Sequence, residues 1–142
     1  MIKVSFFDIK EINDTLLEFA VIIAKYQDKF VFCRHRQRST WEVPGGHREV
    51  NETIEMTASR ELYEESGAVD FTIEPITVYG VESDGKITYG MLFFAEIRAF
   101  DQIPPEYEIA EIVLCDNMPE NLTYPQIQPK LMDYARKEMH FD

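Results

Sequence analysis

The chain has 142 residues, the length of a single domain with one hydrophobic core. Hydrophobic residues make up 45% of the chain and aromatic residues 13%, a composition that supplies a packed core and excludes a disordered protein. With 14 basic and 26 acidic residues the net charge is −12, so the surface repels phosphate backbones, and binding of duplex nucleic acid through a basic patch is not expected.

The sequence shows neither a signal peptide nor an apolar run long enough to cross a bilayer. Cys33 and Cys115 each lie in an apolar stretch, which is typical of buried free thiols in a reducing compartment. These features predict a cytoplasmic protein that makes no contact with a membrane.

The first elements in chain order are two buried strands and a glycine turn. Apolar runs predict strands at 16–24 and 29–34. The segment 41–44 is expected to be extended, because Pro44 disfavours the helical region for the residue before it. Gly45-Gly46 then predicts a tight loop.

A helix is predicted over residues 53–66. Asn51 or Thr53 is the expected N-terminal cap, and Gly67 is the expected stop. One apolar stripe is formed by Ile54, Ala58 and Leu62.

The second half of the chain predicts three strands and another helix. Strands at 71–82 and 86–98 flank Asp84-Gly85, a strong hairpin signal, and a shorter strand follows at 108–115. A last helix is expected from about 125 to 138. Its inward residues are predicted to be Ile127, Leu131, Tyr134 and Ala135. This order of strands and helices predicts an α/β (α+β) fold with a mixed sheet covered on both faces.

Residues 46–68 carry the most specific pattern in the chain. Its fixed positions are Gly46, Glu52, Arg60-Glu61, Glu64-Glu65 and Gly67. This spacing resembles the Nudix box, G-x5-E-x7-R-E-U-x-E-E-x-G-U, in which U is a bulky apolar residue; Leu62 fills the first U and Ala68 fills the last one weakly. The resemblance covers essentially the whole chain. It implies one Nudix domain over 1–142, folded as an α/β/α sandwich around a central mixed β-sheet.

The glutamates of this box are the candidate metal ligands. Glu61, Glu64 and Glu65 stand at i, i+3 and i+4, so they project from one face of the helix. A solvated acidic face is the alternative, but clustered carboxylates suit Mg²⁺ or Mn²⁺. The resemblance implies that Glu64 and Glu65 bind the metal, that Glu61 binds metal or orients the attacking water, and that the Gly45 carbonyl joins the metal shell.

Arg60 and Glu52 have a supporting role in the resemblance. The family pattern implies that they pair and tie the loop to the helix. We therefore expect their replacement to reduce activity through the geometry of the glutamates.

The resemblance implies a metal-dependent hydrolase that cleaves a pyrophosphate bond in a nucleoside diphosphate linked to another group. The first candidate substrates are (d)NTPs, including oxidised purine nucleotides, as in MutT-type members, with water attacking phosphorus. In relatives the base that activates the water is a box glutamate or an acid on a later loop. The loop candidates here are Asp101, Glu106 and Glu108, each of which could equally be a surface carboxylate.

Three further residues are candidates for binding the substrate. If their strand stays extended, Arg34 and Arg36 point to one side of it and could grip terminal phosphates, or they could be ordinary solvated groups. His35 points to the other side, and no cysteine or second histidine stands at a spacing that supports a histidine metal site. Asn121 could read a purine edge or serve as a turn or cap residue.

Two other functions stay open on the sequence. One is a catalytically silent Nudix module that binds a nucleotide and regulates a partner, although such modules commonly lose box glutamates and this chain keeps them all. The other is a Nudix hydrolase of ADP-ribose, a dinucleoside polyphosphate or capped RNA. The expected partner is a small-molecule nucleotide, and the chain is expected to be a monomer or a homodimer.

Overall fold

The computed structural model describes residues 1–103 and 109–141, and in this part of the chain seven strands and two α-helices are found. The strands are β1 (Ile2–Phe7), β2 (Leu17–Tyr26), β3 (Lys29–His35), β4 (Gly45–His47), β5 (Ala68–Ser83), β6 (Lys86–Phe100) and β7 (Ile109–Cys115). The helices are α1 (Ile54–Ser66) and α2 (Gln128–Glu138), and a short 3₁₀ helix spans Asp14–Leu16.

The strands form one mixed sheet in the order β1-β5-β6-β2-β3-β7, with β4 paired to β2 outside this path. β2 and β6 run parallel, with Ile22 opposite Phe93, and the other pairs are antiparallel. The predicted hairpin joins β5 to β6. Both Asp84 and Gly85 have positive φ, 54° and 77°, as a tight two-residue hairpin turn requires.

Apolar side chains on both faces of the sheet are buried beneath a helix. On one face α1 packs Ile54, Ala58 and Leu62 into a core that includes Phe93. On the other face α2 packs Leu131, Met132 and Ala135 against residues of β2, β3, β5 and β6. The predicted sandwich and the predicted stripe of α1 are therefore confirmed.

Some boundaries differ from the sequence prediction. β1 was not predicted, and Gly45-Gly46 lies in the strand β4 rather than in a loop, because its backbone pairs with Ala20 and Val21 of β2. The last helix begins at Gln128, after turns at 125–127. Among the described residues, no helix has the length and apolar character needed to span a membrane.

Candidate active site

The glutamates of the box lie on α1, whose two ends are fixed by capping residues. The Thr53 hydroxyl accepts a hydrogen bond from the backbone N–H three residues later at 3.1 Å, and Gly67 ends the helix with a φ of 80°. The caps set where the helix begins and ends. As a result, Glu61 and Glu65 both face β4 and reach Gly46 and Gly45, respectively.

Glu65 is the most buried of the three glutamates, with 7% of the residue exposed. One carboxylate oxygen accepts the Gly45 N–H at 2.8 Å, and the other lies 3.2 Å from His35 Nε2. Burial raises the pKa of the Glu65 carboxyl, and the hydrogen bonds from His35 and Gly45 oppose this shift. Glu65 is thus held in one orientation by groups from β3 and β4.

His35 contacts the buried carboxylates of Glu42 and Glu65, an arrangement that was not predicted from the sequence. Its Nε2 lies 3.0 Å from Glu42 Oε1 as well as 3.2 Å from Glu65 Oε2, and Arg38 Nη1 lies 3.1 Å from the other Glu42 oxygen. The hydrogen bond to Glu65 raises the pKa of His35, although burial opposes the shift. His35, Glu42 and Glu65 offer ligand atoms within 4.8 Å of one another, an arrangement that could hold a metal ion.

The residue spacing gave no support for a histidine metal site, and the structure shows why spacing was a poor guide. Two partners of His35 are carboxylates, Glu42 after the strand and Glu65 on α1, and neither is the cysteine or histidine that a spacing rule looks for. The available signal was strand alternation, which predicts His35 on the opposite side of β3 from Arg34, although the pairing of β3 with β7 shifts register between these two residues.

Glu61 packs against the backbone of Gly46. A Cβ atom at Gly46 would overlap the Glu61 carboxylate, so only glycine leaves room for this side chain. Burial first, and then repulsion from Glu65 and Glu64, raises the pKa of Glu61 to about 8, with Arg60 opposing the shift. Burial and the neighbouring carboxylates therefore disfavour the charged form of Glu61 when no cation is bound.

Arg60 ties the loop before α1 to the helix. Its Nε and Nη2 donate to the two oxygens of Glu52 at 2.6 and 3.1 Å, and Nη2 also donates to the His47 carbonyl at 3.0 Å. The pairing that the resemblance implied is present. The pKa of Glu52 is lowered to about 2, and the hydrogen bond from Arg60 is the largest cause of this shift. Arg60 Nη1 lies 3.6 Å from Glu61 and 3.5 Å from Glu64, so one guanidinium contacts both the scaffold and the acidic cluster.

A cavity of about 250 Å³ adjoins this cluster. Apolar and aromatic side chains from the sheet and α2 supply much of its lining, together with the polar residues Glu42 and Gln128. Gly45, Gly46 and His47 also line it. Glu65 accepts the Gly45 N–H, the Glu61 carboxylate lies against Gly46, and Arg60 donates to the His47 carbonyl. The cavity and the carboxylates therefore lie next to the same strand.

Residues 16–133 match the NUDIX domain family. The chain belongs to this family. Over 102 residues it is 30% identical to the "Putative 8-oxo-dGTP diphosphatase YtkD" of Bacillus subtilis (strain 168). That match covers 72% of this chain but 64% of the relative, so it spans less than two thirds of the relative's length.

Solved structures of Nudix proteins and other hydrolases share the fold. The Bacillus subtilis pyrophosphohydrolase BsRppH has a TM-score of 0.78 at 23% identity, covering 96% of this chain and 90% of that one. A UDP-X diphosphatase has a TM-score of 0.73 at 19% identity, covering 93% and 66%. A C. elegans Ap4A hydrolase has a TM-score of 0.64 at 17% identity, covering 88% and 99%.

The substrate-binding candidates of this Nudix domain do not lie among the described residues that line the cavity. Arg34 donates to Glu111 at 2.9 and 3.1 Å and to the Arg38 carbonyl, and Arg36 lies exposed in the turn after β3. Asn121 donates its amide to the Ser39 carbonyl at 3.0 Å. It does not cap α2, whose N-cap position is occupied by Ile127.

Of the three loop candidates for the general base, only Asp101 lies among the described residues. Asp101 is exposed; its backbone N–H donates to the Gly67 carbonyl, and its side chain accepts the Gln102 N–H. It therefore lies at the C-terminal end of α1. Glu106 and Glu108 lie outside the described residues.

The carboxylates at α1 fit the divalent ion that Nudix hydrolases use. Glu61, Glu64 and Glu65 supply hard oxygen donors of the kind that Mg²⁺ and Mn²⁺ prefer. Burial first, and the neighbouring carboxylates second, raise the pKa of Glu61, and a bound cation would favour its charged form. Gly46 leaves space for the Glu61 carboxylate. The histidine of the neighbouring group is a softer donor, which Mg²⁺ uses less often than oxygen.

Proposed function

We propose that this chain is a metal-dependent pyrophosphohydrolase that cleaves a nucleoside diphosphate linked to another group. The observation that carries this proposal is that the cavity and the acidic cluster meet at β4. Gly46 receives the Glu61 carboxylate and also lines the cavity, so a ligand in the cavity would place its polar end beside the acidic cluster.

In this proposal Glu64 and Glu65 hold a Mg²⁺ or Mn²⁺ ion, with the Gly45 carbonyl as a further donor. The bound ion would neutralise charge on the phosphates and lower the pKa of a water molecule. Glu65 is prepared for this role because the Gly45 N–H and His35 orient its two oxygens.

Glu61 is proposed as the residue that orients the attacking water and accepts its proton at a carboxylate oxygen. Its carboxylate lies against Gly46, at the boundary between the cluster and the cavity. Arg60 and Glu52 are proposed to act indirectly. The two hydrogen bonds from the Arg60 guanidinium to the Glu52 carboxylate, at 2.6 and 3.1 Å, fix the loop against α1. Preorganisation of this kind lowers the barrier without contact with the reacting atoms.

The proposed substrates are (d)NTPs, including oxidised purine nucleotides. The support is the 30% identity to the Bacillus subtilis protein named "Putative 8-oxo-dGTP diphosphatase YtkD". The solved structures carry the names of hydrolases of UDP-X, Ap4A and ADP-ribose, which shows that this fold accompanies several nucleoside diphosphate substrates. Their identities lie below 25% and do not choose among these substrates.

A hydrolysis screen tests this proposal. The purified chain would be incubated with canonical and oxidised (d)NTPs, ADP-ribose and dinucleoside polyphosphates, with Mg²⁺, Mn²⁺ or a chelator, while phosphate, pyrophosphate and nucleotide are measured. We expect turnover of at least one compound, only with the metal, and with pyrophosphate and a nucleoside monophosphate released from a (d)NTP. Tight binding of a nucleotide without turnover of any compound would support the non-catalytic module instead.

A further inference from the structure

Gln128 is a buried polar residue whose function the box does not explain. It is the first residue of α2, only 6% of it is exposed, and it lines the cavity. Its side-chain oxygen accepts the Val43 N–H at 2.9 Å. A buried amide next to a ligand-sized cavity is costly unless both of its ends are used.

The contact with Val43 fixes which end of the amide faces the cavity. A backbone N–H can only donate, so Oε1 must be the atom that contacts Val43, and Nε2 is the other end. The described residues contain no buried side-chain nitrogen or oxygen that lacks a hydrogen-bond partner. Nε2 has no partner within that part of the chain. Nε2 is therefore an accessible donor rather than a fully buried one, and because Gln128 lines the cavity we infer that this donor faces it.

The walls around this donor suit a flat, mostly apolar group. Phe19, Val21 and Leu131 line the cavity together with Gln128. Gly46 lies on the same cavity and receives the Glu61 carboxylate. A nucleotide with its phosphates at the carboxylates would therefore have its base in the cavity, within reach of the residues that line it.

We propose that Gln128 selects the nucleobase by donating a hydrogen bond from Nε2 to an exocyclic keto oxygen. This proposal rests on the proposed function, because it assumes a nucleotide with its phosphates at the acidic cluster. A keto base such as guanine or 8-oxoguanine offers an acceptor to this donor. An exocyclic amino group, as in adenine, would present a second donor and leave Nε2 unpaired.

Equilibrium binding tests the assignment without relying on hydrolysis. Binding of dGMP and dAMP would be measured by calorimetry in Mg²⁺ for the wild-type chain and for Gln128→Met, which removes the donor and keeps the side-chain length. We expect the wild-type chain to prefer dGMP by about tenfold, the scale of one hydrogen bond gained against one donor left unpaired, and the variant to lose this preference through weaker dGMP binding.

Two further variants complete the design. Gln128→Glu keeps an oxygen that can accept the Val43 N–H, so this variant can be measured if the methionine variant does not fold. It is also expected to lose the preference for dGMP, because it lacks the Nε2 donor. Gln102→Met makes the same substitution at an exposed residue that does not line the cavity, and it should keep the wild-type preference. Equal binding of dGMP and dAMP by the wild-type chain, or an unchanged preference in both Gln128 variants, would overturn the assignment. Nucleotide binding with the expected preference but without turnover would instead contradict the proposed hydrolysis and leave this assignment standing.

Discussion

The carboxylate of Glu52 receives two hydrogen bonds from the guanidinium of Arg60, at 2.6 and 3.1 Å. Glu52 also accepts the Glu49 N–H at 2.9 Å and the Thr57 hydroxyl at 2.8 Å. One side chain therefore joins the loop before α1 to the first two turns of the helix. The catalytic geometry that we propose depends on this connection.

Glu52→Gln is expected to lower the free energy of unfolding at pH 7 by about 1.5–3 kcal/mol, the range for a hydrogen bond to a charged group. The folded-state pKa of Glu52, about 2, lies below the ordinary value of 4.5. Its stabilisation is therefore present above 4.5 and is lost as the pH falls from 4.5 towards 2. Urea unfolding of both proteins at pH 7 and pH 3 checks whether their difference narrows.

Glu49→Gln is the matched control for this experiment. Glu49 lies 3.6 Å from Arg60, but its side chain is 65% exposed, so its ion pair should contribute little. Equal losses of stability in the Glu49 and Glu52 variants would contradict a specific role for the Glu52 pair.

The two neighbouring glycines of β4 should respond differently to alanine. At Gly46 the added Cβ would overlap the end of the flexible Glu61 side chain, whereas at Gly45 it would lie 2.7 Å from the Ala20 carbonyl oxygen of the sheet. Gly46→Ala should therefore keep a melting temperature near that of the wild type, yet reduce turnover by about 10²-fold through displacement of Glu61. Gly45→Ala should lower the melting temperature. If Gly46→Ala keeps full activity, the position of Glu61 does not matter for the reaction.

His35 should titrate above its ordinary range because of its contact with Glu65. The hydrogen bond to Glu65 raises the pKa of His35 from 6.5, so the stabilisation by the protonated imidazole is complete below 6.5 and is lost as the pH rises through the folded-state pKa. Imidazole resonances followed by NMR in the metal-free protein should report this value, and Glu65→Gln should move it down. An unchanged titration in that variant would remove Glu65 as the main cause.

Local signals explain why α1 could be predicted well. Thr53, Gly67 and the apolar stripe act within a few residues of one another, and the helix in the structure begins and ends where these signals placed it. The hairpin at Asp84-Gly85 is also local, because two positive φ angles at adjacent residues suffice to turn the chain.

Contacts between distant parts of the chain could not be predicted in this way. The partner of β1 is β5, about 76 residues later, and the six residues of β1, although rich in strand-forming Ile, Val and Phe, do not indicate that partner. The group formed by His35, Glu42 and Glu65 and the contact between Gln128 and Val43 likewise join different elements. One sequence records which side chains exist, but not which of them the sheet brings together.

The central claim is that the carboxylates of α1 form a hydrolytic metal site. Its most direct test is the turnover of the best substrate by Glu65→Gln at saturating Mg²⁺, beside Glu55→Gln as an exposed control on the same helix. We predict a loss of about 10²-fold or more for Glu65→Gln, with weaker Mg²⁺ affinity, since the change removes a charge and keeps the shape. Glu55→Gln should match the wild type. Near-wild-type turnover by Glu65→Gln would contradict the claim.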